Sequence, residues 1–353
     1  MSDQLKRRDF IKKVSAGIIL AGAASDLWAG PVVKPFSVLS KKNKPKDTGP
    51  NVGLVKGPDR KGNMYEALKL IEKDIRDSIG EKQVVIKPNF TRVEKEDWLA
   101  STQADSVRAF LEIIKPFYKK KVIIAEGSGS NTPIDVPAKN FGYDSLKEDY
   151  DIEYYDLRND TWSTVNFIDS KIHPMPLAVS DLMMNPDIYL VSAAVMKTHG
   201  LAVVTLGLKN ILMAAPMNLG KGKSNRGQLH ADWGKIIKDP KYFNYNMLLM
   251  AQKCYPDLTL IDGFTGMQGN GPLFGDPIDV GVAIASTDTI AADRVGTDVM
   301  GHNFEDVAHL VYCADAKMGE GNITRINVLG NTIAECKKNF KPADDFQYAV
   351  QWK

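Results

Sequence analysis

The sequence predicts an α/β fold with a mainly parallel sheet and helices on both faces. Short runs such as "QVVIKPNF" and "DIYLVSAAV" are apolar at consecutive positions, as strands covered on both sides must be. Between them lie stretches whose apolar residues recur at helical spacing. Several of the apolar runs also stop in charge or glycine, the usual ending of a strand that delivers a loop to one rim of an open sheet.

In chain order, the first segment reads "KRRDFIKKVSAGIILAGAASDLWAG". Arg7 and Arg8, Phe10 and Ile11, then Lys12 and Lys13 precede an uncharged apolar run from Val14 to Ala24. That is the twin-arginine export pattern, and it predicts a signal over residues 1–29. The run is short of the about 20 apolar residues that a spanning helix needs. The expected destination is the periplasm, or a membrane surface if the signal stays attached. Twin-arginine export also implies the export machinery as a partner. Residues 30–50 are rich in Pro, Lys and Ser and read as a linker, with one α/β domain over 51–353.

Within that domain "NVGLVKG" is the first strand. Tyr65, Leu68, Ile71 and Ile75 predict a helix from Met64 to Ser78, with Gly80 at its end. "QVVIKPNF" is a buried strand stopped by Pro88. Thr102 and Asp105 suggest a capping pair for a helix whose apolar face is Val107, Phe110, Leu111 and Ile114. "KVIIAEGSGS", "IEYYDL" and "DIYLVSAAV" are strands. A helix around Met247 to Cys254, the strands "LTLIDG" and "VGVAIA", helices over Thr289–Met300 and Phe304–Met318, and the strand "RINVL" complete the pattern.

The chain has 353 residues, 44% hydrophobic and 25% charged, with 45 Lys and Arg against 43 Asp and Glu. The net charge of +2 gives no basic face of the kind nucleic acid requires, so nucleic acid is not an expected partner. Cys254, Cys313 and Cys336 contain no C-x-x-C pair, so this chain cannot build an iron–sulfur cluster from its own cysteines, although one disulfide could form after export. G-x-S-x-G is missing, as are a P-loop ending in G-K-[ST] and G-x-G-x-x-G.

The chemistry gathers at the predicted strand ends. "VSAAVMKTHG" finishes in Lys197, Thr198 and His199, and Lys209 with Asn210 opens "ILMAAP", which reads as the start of a short helix. A lysine there adds to the positive end of the helix dipole, and an anion would relieve both. Lys197, His199, Lys209 and Asn210 are therefore the candidate catalytic residues. Lys87 and Asn89 end another strand. Gly269, Asn270 and Gly271 sit in "DGFTGMQGNGPLFGDP", whose glycine density would let backbone approach a bound group, so these five are candidate cofactor-binding residues. His199, His230, Asp232 and Asp262 have the donor chemistry for a divalent or transition metal, though no H-E-x-x-H spacing ties them together.

"VVIKPNF", "AEGSGS", "AAVMKTHGLAVVTLGLKNILM", "HADW", "LIDGFTGMQGNGPLFGDP" and "ASTDTIAADRVGTDVMG", in that order, resemble the domain-of-unknown-function family 362 over roughly Asn51 to Leu329. The resemblance implies that the polar positions of the pattern fall on Lys87, Asn89, Glu126, Lys197, His199, Lys209, Asn210, His230, Asp232, Asp262, Asn270, Asp288 and Asp293. Asp288 and Asp293 are expected to cap the helix they begin. Members of the family are often fused to, or described as, iron–sulfur proteins. This chain lacks the ferredoxin-type cysteines, so a cluster would have to come from a redox partner on another chain. The expectation is an exported enzyme acting on a small phosphate- or carboxylate-bearing substrate with a metal assisting. The alternatives are an anion- or metal-binding protein without turnover, and an accessory redox protein.

Overall fold

A computed structural model describes residues 49–127, 132–217, 229 and 239–353. The export pattern, nearly all of the linker, and His230 with Asp232 lie outside the described residues. No described helix is long and apolar enough to cross a membrane.

The strands are β1 Asn51–Lys56, β2 Gln83–Pro88, β3 Val122–Glu126, β4 Ile152–Asp156, β5 Trp162–Ile168, β6 Pro174–Ser180, β7 Ile188–His199, β8 Val203–Thr205, β9 Leu258–Gln268, β10 Asp276–Ser286 and β11 Asn327–Gly330. Eight of them lie in the order β11-β1-β10-β9-β7-β2-β3-β4, with β8 paired to the end of β7. β9, β7, β2, β3 and β4 run parallel, and β11 is parallel to β1. β10 is antiparallel to both of its neighbours, so the sheet is mixed but mostly parallel, as the apolar runs predict.

Alternate residues of each strand feed two cores. Val84 and Ile86 face one side with Tyr189, Val191 and Leu260, while Val85, Leu190 and Ile261 face the other. The first side is covered by α1 Arg60–Leu70, α2 Glu72–Ile79 and α3 Ala104–Ile114. The second is covered by α4 Gly207–Leu212, α5 Pro240–Ala251, α6 Thr289–Val299 and α7 Ala308–Asp315. A sheet buried on both faces has no polar side, which explains the lack of apolar/polar alternation in its strands.

Several local expectations are corrected. The helix expected over Met64–Ser78 is two helices, broken at Ile71, where φ is −118° and ψ is 16°. Asp59 opens α1 by accepting from Gly62 N at 2.6 Å, and Gly80, at φ +50°, follows α2. Thr102 does not cap α3. Its hydroxyl accepts from Asn89 N at 2.9 Å and donates to Ala193 O at 2.7 Å, tying the β2 end to β7. α5 begins earlier than expected, at Pro240, with Asp239 as its cap. The stretch expected as one helix from Phe304 to Met318 is a 3₁₀ turn, Phe304–Asp306, followed by α7.

The antiparallel pair β5–β6 was not expected. It docks on α5 through Asn246, which accepts from Ile168 N at 3.0 Å and donates to Ile168 O at 2.8 Å. The three cysteines are buried free thiols and not a disulfide, and burial pushes Cys254 and Cys313 up.

The glycine-rich segment forms the tip of the β9–β10 hairpin. Its glycines answer to protein neighbours. A Cβ on Gly271 would lie 2.2 Å from Thr198 O, and Gly269, at φ +75°, donates to Lys341 O at 2.7 Å. Gly271→Ala should therefore cost about 1–3 kcal/mol through overpacking and lower Tm by several degrees in a thermal melt. A variant that melts like the parent would show that this close approach is not a constraint.

Candidate functional site

β2 and β3 end side by side against the middle of β7, which runs on to His199, and residues of all three strands supply a polar network with almost no solvent exposure. Lys87 of β2 pairs beside Ser192 of β7, and Glu126 closes β3. The Lys87 Nζ lies 2.7 Å from Glu126 Oε2 and donates to Asn210 Oδ1 at 2.6 Å. Glu126 also accepts from Phe90 N at 3.1 Å and from Gly127 N at 2.8 Å. Both partners of this ion pair are buried, so each depends on the other for its charge.

Two carboxamides extend the network. Asn210 Nδ2 donates to Lys87 O at 3.1 Å and to Ser192 Oγ at 3.0 Å. That assignment leaves its Oδ1 to receive Lys87 and, at 2.9 Å, Asn89 Nδ2. Asn89 Oδ1 in turn accepts from Lys197 Nζ at 2.8 Å and from Thr91 Oγ1 at 2.7 Å. Lys197 completes its bonds with Thr91 Oγ1 at 3.2 Å and Ala100 O at 2.8 Å. Burial pushes the Lys197 ammonium well below the ordinary lysine range, and the cations at Lys209 and Lys87 push it the same way. Glu126 pulls against them, and its effect is the weakest of the four. Three oxygen acceptors, one for each N–H, are what a retained proton requires.

Lys209 and Asn210 sit inside α4, not ahead of it. The anion expected at the start of this helix is internal: Asp293 accepts from Gly207 N at 2.8 Å and from Leu208 N at 2.9 Å. Asp293 lies in the middle of α6, so it caps a different helix from the one expected; Asp288 does cap α6, through Ala291 N at 3.0 Å. Complete burial drives the Asp293 carboxyl up to about 7 against the pull of those two N–H donors.

A cavity of about 100 Å³ opens beside the network, bordered by Lys87, Asn89, Glu126, Thr205, Lys209 and Asn210, with Phe90, Thr91, Met213, Ala214 and Pro272 filling the wall. Thr205 is the residue that sequence reasoning missed. Its side chain is 4% exposed and its hydroxyl has no hydrogen-bond partner, although a buried hydroxyl without one is costly. The only signal in the sequence was a polar residue inside the apolar run "AVVTLGL". His309 was also passed over. Burial and the nearby Lys209 hold its imidazole down at about 3, and Nδ1 has no partner.

The remaining candidates do not join the cavity wall. His199 spends Nδ1 as an acceptor for Leu201 N at 3.0 Å and Ala202 N at 3.2 Å. Asp262 accepts from Ser106 Oγ at 2.9 Å and Phe264 N at 3.1 Å, and faces Arg60 at 3.6 Å. Asn270 is bonded in both directions to Asp344, at 2.8 and 2.9 Å. Among the described residues no three His, Cys, Asp or Glu side chains gather as metal ligands. A larger cleft of about 430 Å³ runs between Arg294, Phe304, Glu320 and Arg325. Its arginines are already paired, Arg294 with Asp298 at 3.0 Å and Arg325 with Glu320 at 2.5 Å, and none of the sequence-predicted residues borders it.

Comparison with known proteins places these features in context. The family described as "Domain of unknown function (DUF362)" matches residues 84–298, a span that holds the whole network and Asp293 but not His309. A thylakoid-associated protein of Synechocystis sp. is 29% identical over 224 residues, which are 62% of this chain and 63% of that protein. The chain thus spans less than two thirds of that relative's length. A crystal structure of a protein from Thermotoga maritima superposes with a TM-score of 0.40 at 14% identity, over 66% of this chain and 57% of the other.

Breaking the buried pair from one side should be worse than removing it whole. Lys87→Met is expected to cost about 3–5 kcal/mol, because Glu126 is left buried without its cation. Lys87→Met with Glu126→Leu should recover part of that loss in chemical denaturation. If the two substitutions simply add, the pair is not coupled.

Proposed function

The chain belongs to the DUF362 family, whose name assigns no activity, and on that premise we propose that the cavity at the ends of β2 and β3 binds the anionic group of a small phosphate- or carboxylate-bearing substrate. One observation carries this reading: the unpartnered hydroxyl of Thr205 borders a small cavity that Lys209 also borders. A bound oxyanion would accept from the Thr205 hydroxyl and meet the lysine charge at once. Lys197, held behind the wall through Asn89, is depressed first by burial and then by the cations at Lys209 and Lys87, whose effect exceeds that of Glu126. A volume of about 100 Å³ exceeds the 10–15 Å³ that one water requires, so an oxyanion head has room.

As an enzyme, the protein would use Lys209 to contact the anionic group, while Asn89 and Asn210 hold Lys197 and Lys87 in place. A second reading, capture without turnover, is favoured by the fact that Asn89, Asn210 and Glu126 already have protein partners. Such a saturated wall suits binding better than proton transfer. We place either function outside the cytoplasm, on the twin-arginine pattern at Arg7 and Arg8.

Phosphate or acetate, added against chloride at equal ionic strength, should raise Tm in a saturable way, as any ligand of the folded state does. Thr205→Val and Lys209→Met should each remove most of that rise. No shift at tens of millimolar anion, or a full shift in Thr205→Val, would end this reading. Binding should also weaken as pH rises. Burial makes Lys197, which stands behind the wall through Asn89, lose its proton at a lower pH in the folded chain than in the unfolded one, and the positive charge behind the cavity falls with it.

For export, replacing Arg7 and Arg8 by lysine should leave the protein in the cytoplasm after cell fractionation. Unchanged secretion would argue against the twin-arginine route.

A further inference from the structure

The cavity is too small for a whole metabolite-sized ligand, since sites that enclose such ligands run to about 300–1,000 Å³. Only a charged head fits, so whatever carries it must lie at the mouth. Two of the wall residues lead directly to an unusual surface feature. Arg92 follows Thr91, and Phe274 is two residues beyond Pro272, so their Cα atoms lie within about 3.8 and 7.6 Å of residues in the wall.

Arg92 and Phe274 also meet each other. The guanidinium stands over the Phe274 ring, 5.0 Å from its centroid, while Arg92 keeps a loose contact with Asp97 at 3.8 Å. Phe274 is 72% exposed, the most exposed large apolar side chain among the described residues. Trp98, 41% exposed, belongs to the same segment as Ala100, whose carbonyl holds Lys197. A largely exposed phenyl ring on a hairpin tip, backed by a cation and two residues along the chain from the wall of an anion-sized cavity, is a platform that can take a planar group. Rings of this kind stack planar groups, and guanidinium planes do the same.

Resting on the anion-binding reading, we infer that the ligand is an oxyanion joined to a planar aromatic body, with the oxyanion seated at Thr205 and Lys209 and the ring lying on Phe274 and Arg92. This assigns Phe274 and Arg92 as specificity residues and separates the class of aryl-linked phosphates or carboxylates from small aliphatic ones. It also explains why the glycine-rich hairpin projects a phenylalanine into solvent. The glycines shape the turn against Thr198, and the turn presents the ring.

The test compares phenyl phosphate with inorganic phosphate, and benzoate with acetate, by calorimetric titration of the intact protein. The aryl ligand of at least one pair should bind roughly two- to fivefold more tightly than its small counterpart, the scale of one exposed cation–π contact. Phe274→Ala should abolish that advantage and leave the small anion unchanged. Phe274→Trp should preserve it, and Arg92→Met should reduce it. Phe274 is exposed, so none of its variants needs to disturb the core. Small anions binding with no aryl advantage, or with an advantage that survives Phe274→Ala, would overturn this inference alone. Failure of every anion to bind would overturn it together with the reading on which it rests.

Discussion

Two side-chain amides hold two buried ammonium groups a fixed distance apart, and the rest of the site follows from that constraint. Asn210 can receive Lys87 only if its Nδ2 faces the Lys87 carbonyl and Ser192, and Asn89 can receive Lys197 only if its Nδ2 faces Asn210. Each bond thereby fixes the orientation of the next. Bare lysines brought to one sheet edge would repel each other and lose hydration. The amides supply acceptors, Glu126 supplies one counter-charge, and the chain of bonds leaves little freedom to rearrange.

The scaffold makes this arrangement affordable. A parallel sheet ends all its central strands on one side, so Lys87, Glu126 and Lys197 arrive together though they are far apart in sequence. Backbone N–H groups of Phe90 and Gly127, in the turns that follow β2 and β3, satisfy Glu126. The short helix α4 brings Asn210 and Lys209 from the second face of the sheet, and Asp293 holds its first turn.

Much of the sheet was legible because a strand buried on both faces needs an unbroken apolar run, as "VVIKP" and "IYLVSAAV" provide. β5 and β6 were not, because β5 carries exposed residues along most of its length and β6 begins with two prolines among three residues. The extension of β9 was hidden by glycines that read as loop. At the site, the sequence showed that Lys87, Asn89, Lys197, Lys209 and Asn210 end or follow apolar runs, and the fold gathers these five. It could not show that Asn270 is bonded to Asp344, that Asp262 serves Ser106, or that Asp293 reaches across to α4, since each partner lies far along the chain. Thr205 was invisible for another reason: a threonine in a β-run fits its backbone preference and signals nothing until its hydroxyl is seen to be unpartnered.

The anchoring of α4 by Asp293 sets an order of events during synthesis. Gly207 and Leu208 leave the ribosome some 85 residues before the carboxylate that fixes them, so the helix bearing Lys209 and Asn210 has no cap while the chain is still being made. Only after α6 has emerged and docked can the cavity take its final shape. A nascent or truncated chain that stops short of this point lacks the carboxylate that holds the first turn of α4, and with it the fixed placement of Lys209 and Asn210.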